Sequence, residues 1–249
     1  DLHRYTYVIT SSTAGPEWPT WWELGIDGST RSYINIPSEE GEKYIHMKIQ
    51  DRAGNTGTGY SGPYKIDVSS PTGSVIINDG EVYTATNTVS LALTCADSVS
   101  GVKEVSYQND GTGWSEWQAH ISTKSWELRD EPGERTVEYR IKDNAGNLSL
   151  VYSDSIVYDP VKPRIYDVNP SSSDWAGSDM PVDFNLKDEG SSKLQRFRYN
   201  ISDRIQKPDS GWSEWDYSIS GSSHAARQAE ITQEGVWYLH IELYDCLLY

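Results

Sequence analysis

The chain has 249 residues, carries 37 acidic against 21 basic side chains for a formal charge of -16, and draws its aromatics from 17 Tyr and 10 Trp but only 2 Phe. That length exceeds one sandwich-sized core of about 100 residues and suits two or three, while the acidity disfavours nucleic acid and anionic membrane as partners. Two cysteines cannot staple a small scaffold or build a Cys-based zinc site, and no apolar run approaches the roughly twenty residues of a membrane helix.

The chain opens at Asp1-Leu2-His3 with no basic or apolar leader, as a mature protein or an excised piece would. Arg4-Tyr5-Thr6-Tyr7 reads as a strand ending in Tyr, and 11 residues beyond Tyr7, past a loop holding Pro16, come Trp18, Trp21 and Trp22. Exposed indole faces stack on the apolar faces of sugar rings, so these three are the candidate ligand-binding residues. On a regular strand i and i+3 point to opposite faces, which predicts one Trp of each Trp-x-x-Trp pair in the core and one outside. Trp22 is the one that the repeat described below does not require. From Gly41 to Asp51, Ile45, Met47 and Ile49 alternate with His46 and Lys48, the period-two signature of a strand with one buried face. His46 is expected on its solvated face. Asp51-Arg52-Ala53-Gly54-Asn55 then supplies turn residues, and Ser69-Ser70-Pro71 marks a break.

The second stretch begins with an alternating strand, Val89-Leu91-Leu93, and continues with a Tyr-ended strand, Val102 to Tyr107. Asn109-Asp110-Gly111 is a tight hairpin signal. Trp114 and Trp117 follow, then Gly133 to Asp143 with Val137, Tyr139 and Ile141 in alternation, then Asp143-Asn144-Ala145-Gly146-Asn147. The break at Asp159-Pro160-Val161-Lys162-Pro163 is short and proline-marked, which predicts a semi-rigid joint. The third stretch repeats the order with Val182-Phe184-Leu186, Leu194 to Tyr199, a loop with Pro208, Trp212 and Trp215, and Gly235 to Asp245 carrying Leu239, Ile241 and Leu243. It ends Asp245-Cys246-Leu247-Leu248-Tyr249, without the Ala-Gly-Asn turn.

One ruler, a Gly followed ten residues later by an Asp, thus recurs three times. With the short strands and turn residues between them it predicts an all-β chain of tandem antiparallel β-sandwiches with very little helix. The units are 1–70 lacking its first strands, 71–161 complete, and 162–249 lacking its last strand. Cys95 and Cys246 fall in different units, too far apart for a disulfide, so both are expected as free thiols.

The Asp-x-Ala-Gly-Asn segments, taken with the alternating strand, the Tyr strand and the Trp-x-x-Trp, resemble the bacterial Ig-like repeat family of cell-surface and secreted multi-domain proteins. The resemblance covers nearly the whole chain. It implies a seven-strand sandwich with this segment as the turn between strands F and G, and service as a spacer, an adhesin stalk or an accessory module. The function expected is a non-catalytic stalk or adhesion module, extracellular, with neighbouring repeats and a surface glycan or protein receptor as partners. One alternative is a carbohydrate-binding accessory module of a polysaccharide-active enzyme, and another is an assembly subunit completed by strand addition from neighbouring chains. No cofactor is required. Asp51, Asn55, Asp143 and Asn147 offer oxygens that calcium would take, set against ordinary turn chemistry for the same residues. The five His lie in no catalytic motif.

Overall fold

The structure, a computed structural model, describes residues 2–20, 34–169, 180–203, 206–222, 224–232 and 237–245. Trp21, Trp22 and Cys246 lie outside the described residues. The described residues form fifteen strands and one 3-10 turn, Asn78–Gly80, and they contain no helix long and apolar enough to cross a membrane. The chain is all-β, built from antiparallel sheets.

The first unit is a three-stranded sheet in the order β1 (Leu2–Thr10), β2 (Gly41–Asp51), β3 (Thr56–Ile66). The second is a two-layer sandwich. One layer is β4 (Thr72–Ile77), β6 (Thr88–Ala96) and β8 (Thr123–Glu127); the other runs β5 (Tyr83–Thr84), β10 (Tyr152–Tyr158), β9 (Gly133–Asp143), β7 (Val102–Asn109), with β5 parallel to β10. The third unit pairs β11 (Arg164–Asn169), β12 (Met180–Lys187) and β14 (His224–Ile231) in one sheet, and β13 (Leu194–Ser202) with β15 (Tyr238–Asp245) in the other. The Tyr-ended strands are β1, β7 and β13, each antiparallel to its Gly-to-Asp strand, and each carries a register shift at the same place, Leu2/Arg4, Val102/Glu104 and Leu194/Arg196.

Period-two alternation puts the apolar residues of facing sheets into one core. In the second unit Ile77, Leu91, Val105, Tyr107, Val137, Tyr139 and Ile141 are wholly buried. Tyr107 stacks on Tyr139 with ring centroids 5.3 Å apart, and burial pushes the Tyr107 hydroxyl up to about 12. Space at Gly73 is closed on two sides: a Cβ there would meet the carbonyl oxygen of Thr94 on the neighbouring strand β6 at 2.4 Å and Ile141 Cδ1 of the facing layer at 2.5 Å. In the third unit Phe184 and Phe197 meet edge to face with centroids 5.9 Å apart.

The Asp-x-Ala-Gly-Asn segments are the turns from β2 to β3 and from β9 to β10. In both, the Asp carboxylate accepts the Asn backbone amide at 2.8 Å and the Asn side-chain amide at 2.8 Å. Gly54 and Gly146 sit at φ 91 and 101, the left-handed region that favours Gly. The two Asn serve through their side chains rather than by adopting positive φ.

His46 departs from expectation. It is 4 % exposed because the chain beyond β1 folds over it, placing its Nε2 3.0 Å from Thr10 Oγ1 and 2.9 Å from the Ser12 carbonyl oxygen, with the Tyr60 ring at 5.7 Å. The polar face of β2 is a packed surface there.

Candidate functional site

The two Trp-x-x-Trp segments that lie wholly among the described residues do not run as regular strands. After the turn at Asp110 and Gly111 (φ 47 and 68), Ser115 N donates to the Tyr107 carbonyl at 2.7 Å, and Ser115 Oγ accepts the Tyr107 amide at 3.0 Å. Gln118 and Val105 then exchange two backbone bonds, 2.9 and 2.8 Å. The bonding residues are three apart, so Trp114 and Trp117, also three apart, share a face. The third unit repeats this with Ser213 on Tyr199 and Asp216 on Phe197. The expectation of one core and one outward Trp per pair is therefore corrected. Trp114, Trp117, Trp212 and Trp215 are all half-buried, against the outer face of the sheet.

What they meet there is charge. The Arg140 guanidinium lies 4.1 Å from the Trp114 ring centre and 4.7 Å from that of Trp117, and Lys142 Nζ lies 4.0 Å from Trp117. In the third unit Arg198 stands 4.9 Å from Trp212 and 4.4 Å from Trp215, and Arg196 stands 4.3 Å from Trp215 and 5.1 Å from Tyr244. These are cation–π contacts. Arg140 Nε and Arg196 Nε are buried without a hydrogen-bond partner, so the ring faces are the main contacts at those atoms. Burial lowers the Arg140 pKa.

The cation comes from a different strand in each ladder. Ser106 pairs with Arg140 across β7 and β9, whereas Arg198 pairs with Glu242 across β13 and β15. Counted from the shared register shift, Arg198 occupies the place of Ser106, and Glu242 the place of Arg140. Burial raises the Glu242 pKa, but hydrogen bonds and charge from Lys207 and Arg198 outweigh it and hold the carboxyl below its ordinary value. The ladders ride on the sheet as packing devices, and Trp117 and Trp215, each contacted by two cations, present no open platform. Trp18 of the first unit is half-buried.

Of the two turn carboxylates, Asp143 is drawn into the joint between the first two units. Asp67, just beyond β3, accepts the Ser100 amide on Oδ2 at 3.0 Å, and its carbonyl accepts Asn147 Nδ2 at 3.1 Å. Asp159, just beyond β10, accepts the Ser192 amide on Oδ2 at 2.6 Å. Ser100 and Ser192 each precede a Tyr-ended strand by two residues, so both joints use the same bond. Asp67, Asp97 and Asp143 each bring one carboxylate oxygen within 4.8 Å of the others. Asp159, Asp188 and Asp245 hold the corresponding places at the second joint, all buried.

Three oxygen donors of this kind suit calcium. The carboxylates are, however, already bonded to backbone amides: Asp97 Oδ1 accepts from Val99, Ser100 and Gly101, and Asp143 Oδ1 from Gly146 and Asn147. Hydrogen bonding from Ser100, set against burial, holds Asp67 below its ordinary value, and donation from Asn55 does the same for Asp51. Of the four candidate metal residues, Asp143 joins the acidic trio at the first joint. Asn147 bonds Asp143 and Asp67, and Asp51 and Asn55 bond each other away from it. Asp67 and Asp97 were not among the sequence candidates; their signal is their place, directly after strands that recur as β10 and β12. Cys95 is a free, half-buried cysteine whose thiol burial pushes up.

No family model matches the chain, and no curated protein does. A solved structure described as "Structural basis for the promiscuous specificity of the carbohydrate-binding modules from the beta-sandwich super family" is similar to it at 10 % identity and a TM-score of 0.33, over 72 % of this chain and 93 % of that one.

Proposed function

We propose that the chain is a non-catalytic spacer, a run of Ig-like repeats of the bacterial cell-surface or secreted type, whose work is to hold neighbouring modules at a fixed separation. The observation that carries this reading is the repeated joint: an Asp directly after the closing strand of one unit accepts a backbone amide from the loop ahead of the next unit's Tyr-ended strand, at Asp67 to Ser100 and again at Asp159 to Ser192. Side chains that lock successive units serve a chain whose function lies in geometry. The tryptophans support the same reading, because the described pairs are engaged by Arg140, Lys142, Arg196 and Arg198. A glycan-array screen of the chain, with and without millimolar calcium, tests it. The spacer reading predicts no specific binding in either condition. Specific binding lost in Trp18→Ala would overturn it in favour of a carbohydrate-binding module.

A further inference from the structure

Among the described residues the first unit has one layer where the second has two. Tyr7, Met47 and Ile49 occupy the places of Tyr107, Tyr139 and Ile141, since Tyr7 pairs with Met47 as Tyr107 does with Tyr139, and Tyr5 with Ile49 as Val105 does with Ile141. The residues of the second unit are 0 % exposed beneath β4, β6 and β8. Those of the first are 37, 37 and 41 % exposed. Over Met47 and Ile49 runs an open groove of about 490 Å³, also lined by Ile34, Ile45 and Tyr64, with Gly59 in its floor.

The groove's shape says what is missing. Ile34 and Ile36 precede Gly41 by the same seven and five residues by which Trp126 and Leu128, on and just past β8, precede Gly133. Ile34, in the place of Trp126, therefore stands at the rim although no strand forms there, while the counterparts of β4 and β6 do not occur among the described residues. The floor differs as well. Met47 pairs with Gly59 and Ile45 with Ser61, where Tyr139 pairs with Tyr152 and Val137 with Asp154. A strand glycine admits a close neighbour, so the floor at Gly59 leaves room for a covering strand.

We propose that the open face of the β1–β2–β3 sheet is a docking site for a partner polypeptide that supplies an antiparallel pair of extended segments, alternating apolar residues as β4 and β6 do. Sheet-on-sheet packing buries the inner faces of both partners, and the two complete precedents in this chain, over β9 and over β15, are strand layers of this pattern. The occupant completes the first unit as Val75, Ile77, Leu91 and Leu93 complete the second.

The chain has two methionines, Met47 on this face and Met180 in the third unit, which gives a clean test. The full chain, labelled with 13C at the methionine methyls, is titrated with a synthetic peptide spanning Pro71–Asp97, the chain's own β4–β6 segment. The expected result is a saturable shift of the Met47 methyl with Met180 unmoved, abolished by Ile49→Glu. That substitution falls at an exposed position, and an unchanged thermal unfolding curve confirms that the variant is folded. No shift at millimolar peptide, equal shifts of both methyls, or a shift that survives Ile49→Glu would overturn the proposal. So would a Met47 shift that depends on the concentration of the chain alone, because the occupant would then be a second copy.

Discussion

Arg140→Met removes the cation between Trp114 and Trp117 while keeping an apolar stem of similar length. The two ring contacts, at 4.1 and 4.7 Å, are each worth about 0.5–1 kcal/mol for a partly exposed pair. The substitution should therefore cost the second unit about 1–2 kcal/mol, a factor of roughly 5–30 in its opening equilibrium. Hydrogen exchange read on the β9 amides isolates that unit from its neighbours, and Lys103→Met, at an exposed position, controls for the lost charge. The strand swap between ladders sharpens the test. Ser106→Arg with Arg140→Glu rebuilds in the second unit the arrangement that Arg198 and Glu242 have in the third, and should recover most of what Arg140→Glu alone loses. Protection changed less than twofold by Arg140→Met, or additivity in the double variant, would refute the reasoning.

Other outcomes follow from single positions. Gly73→Ala forces a Cβ against the Thr94 carbonyl of the neighbouring strand and Ile141 of the facing layer, and should destabilise the second unit by roughly 2–4 kcal/mol in urea unfolding; a loss under 1 kcal/mol would show that both contacts can relax. Because Asp67 is held below its ordinary value of 3.8, its contribution to the first joint is present above that value and is lost as pH falls through the lowered one. Exchange at the Ser100 amide should accordingly stay protected, after correction for intrinsic rates, until pH falls below about 4, and protection that fades by pH 6 would contradict it. Cys95, pushed up by burial, should react with a disulfide reagent at pH 8 at least about tenfold more slowly than free cysteine in a Cys246→Ser background. Equal rates would count against its burial.

The antiparallel architecture was legible because period two runs through each Gly-to-Asp strand; in β9 Val137, Tyr139 and Ile141 are buried as it requires, whereas in β2 Met47 and Ile49 are exposed. The turns after β2 and β9 were legible because Asp, Gly and Asn fall where a tight connection uses them. The tryptophan pairs were misjudged because strand periodicity was applied to a segment that bonds to its neighbour every third residue, and nothing in the letters Trp-Ser-Glu-Trp announces that period. His46 was placed in solvent because its neighbours on β2 alternate, yet the residues that cover it, Thr10 and Ser12, lie more than thirty positions away. The joint is hidden for the same reason. Asp67, Asp97 and Asp143 are ordinary acids in sequence, and only the stacking of one unit's last strand on the next unit's loops brings them together.

The spacer account stands or falls on whether the joints hold. Spin labels at Thr58→Cys and Lys103→Cys, both exposed positions on adjoining units, in a background with Cys95→Ser and Cys246→Ser, report their separation by electron–electron double resonance. The account predicts one narrow distance distribution that broadens severalfold in Asp67→Ala. A broad distribution in the parent chain, or a narrow one that Asp67→Ala leaves untouched, would contradict it.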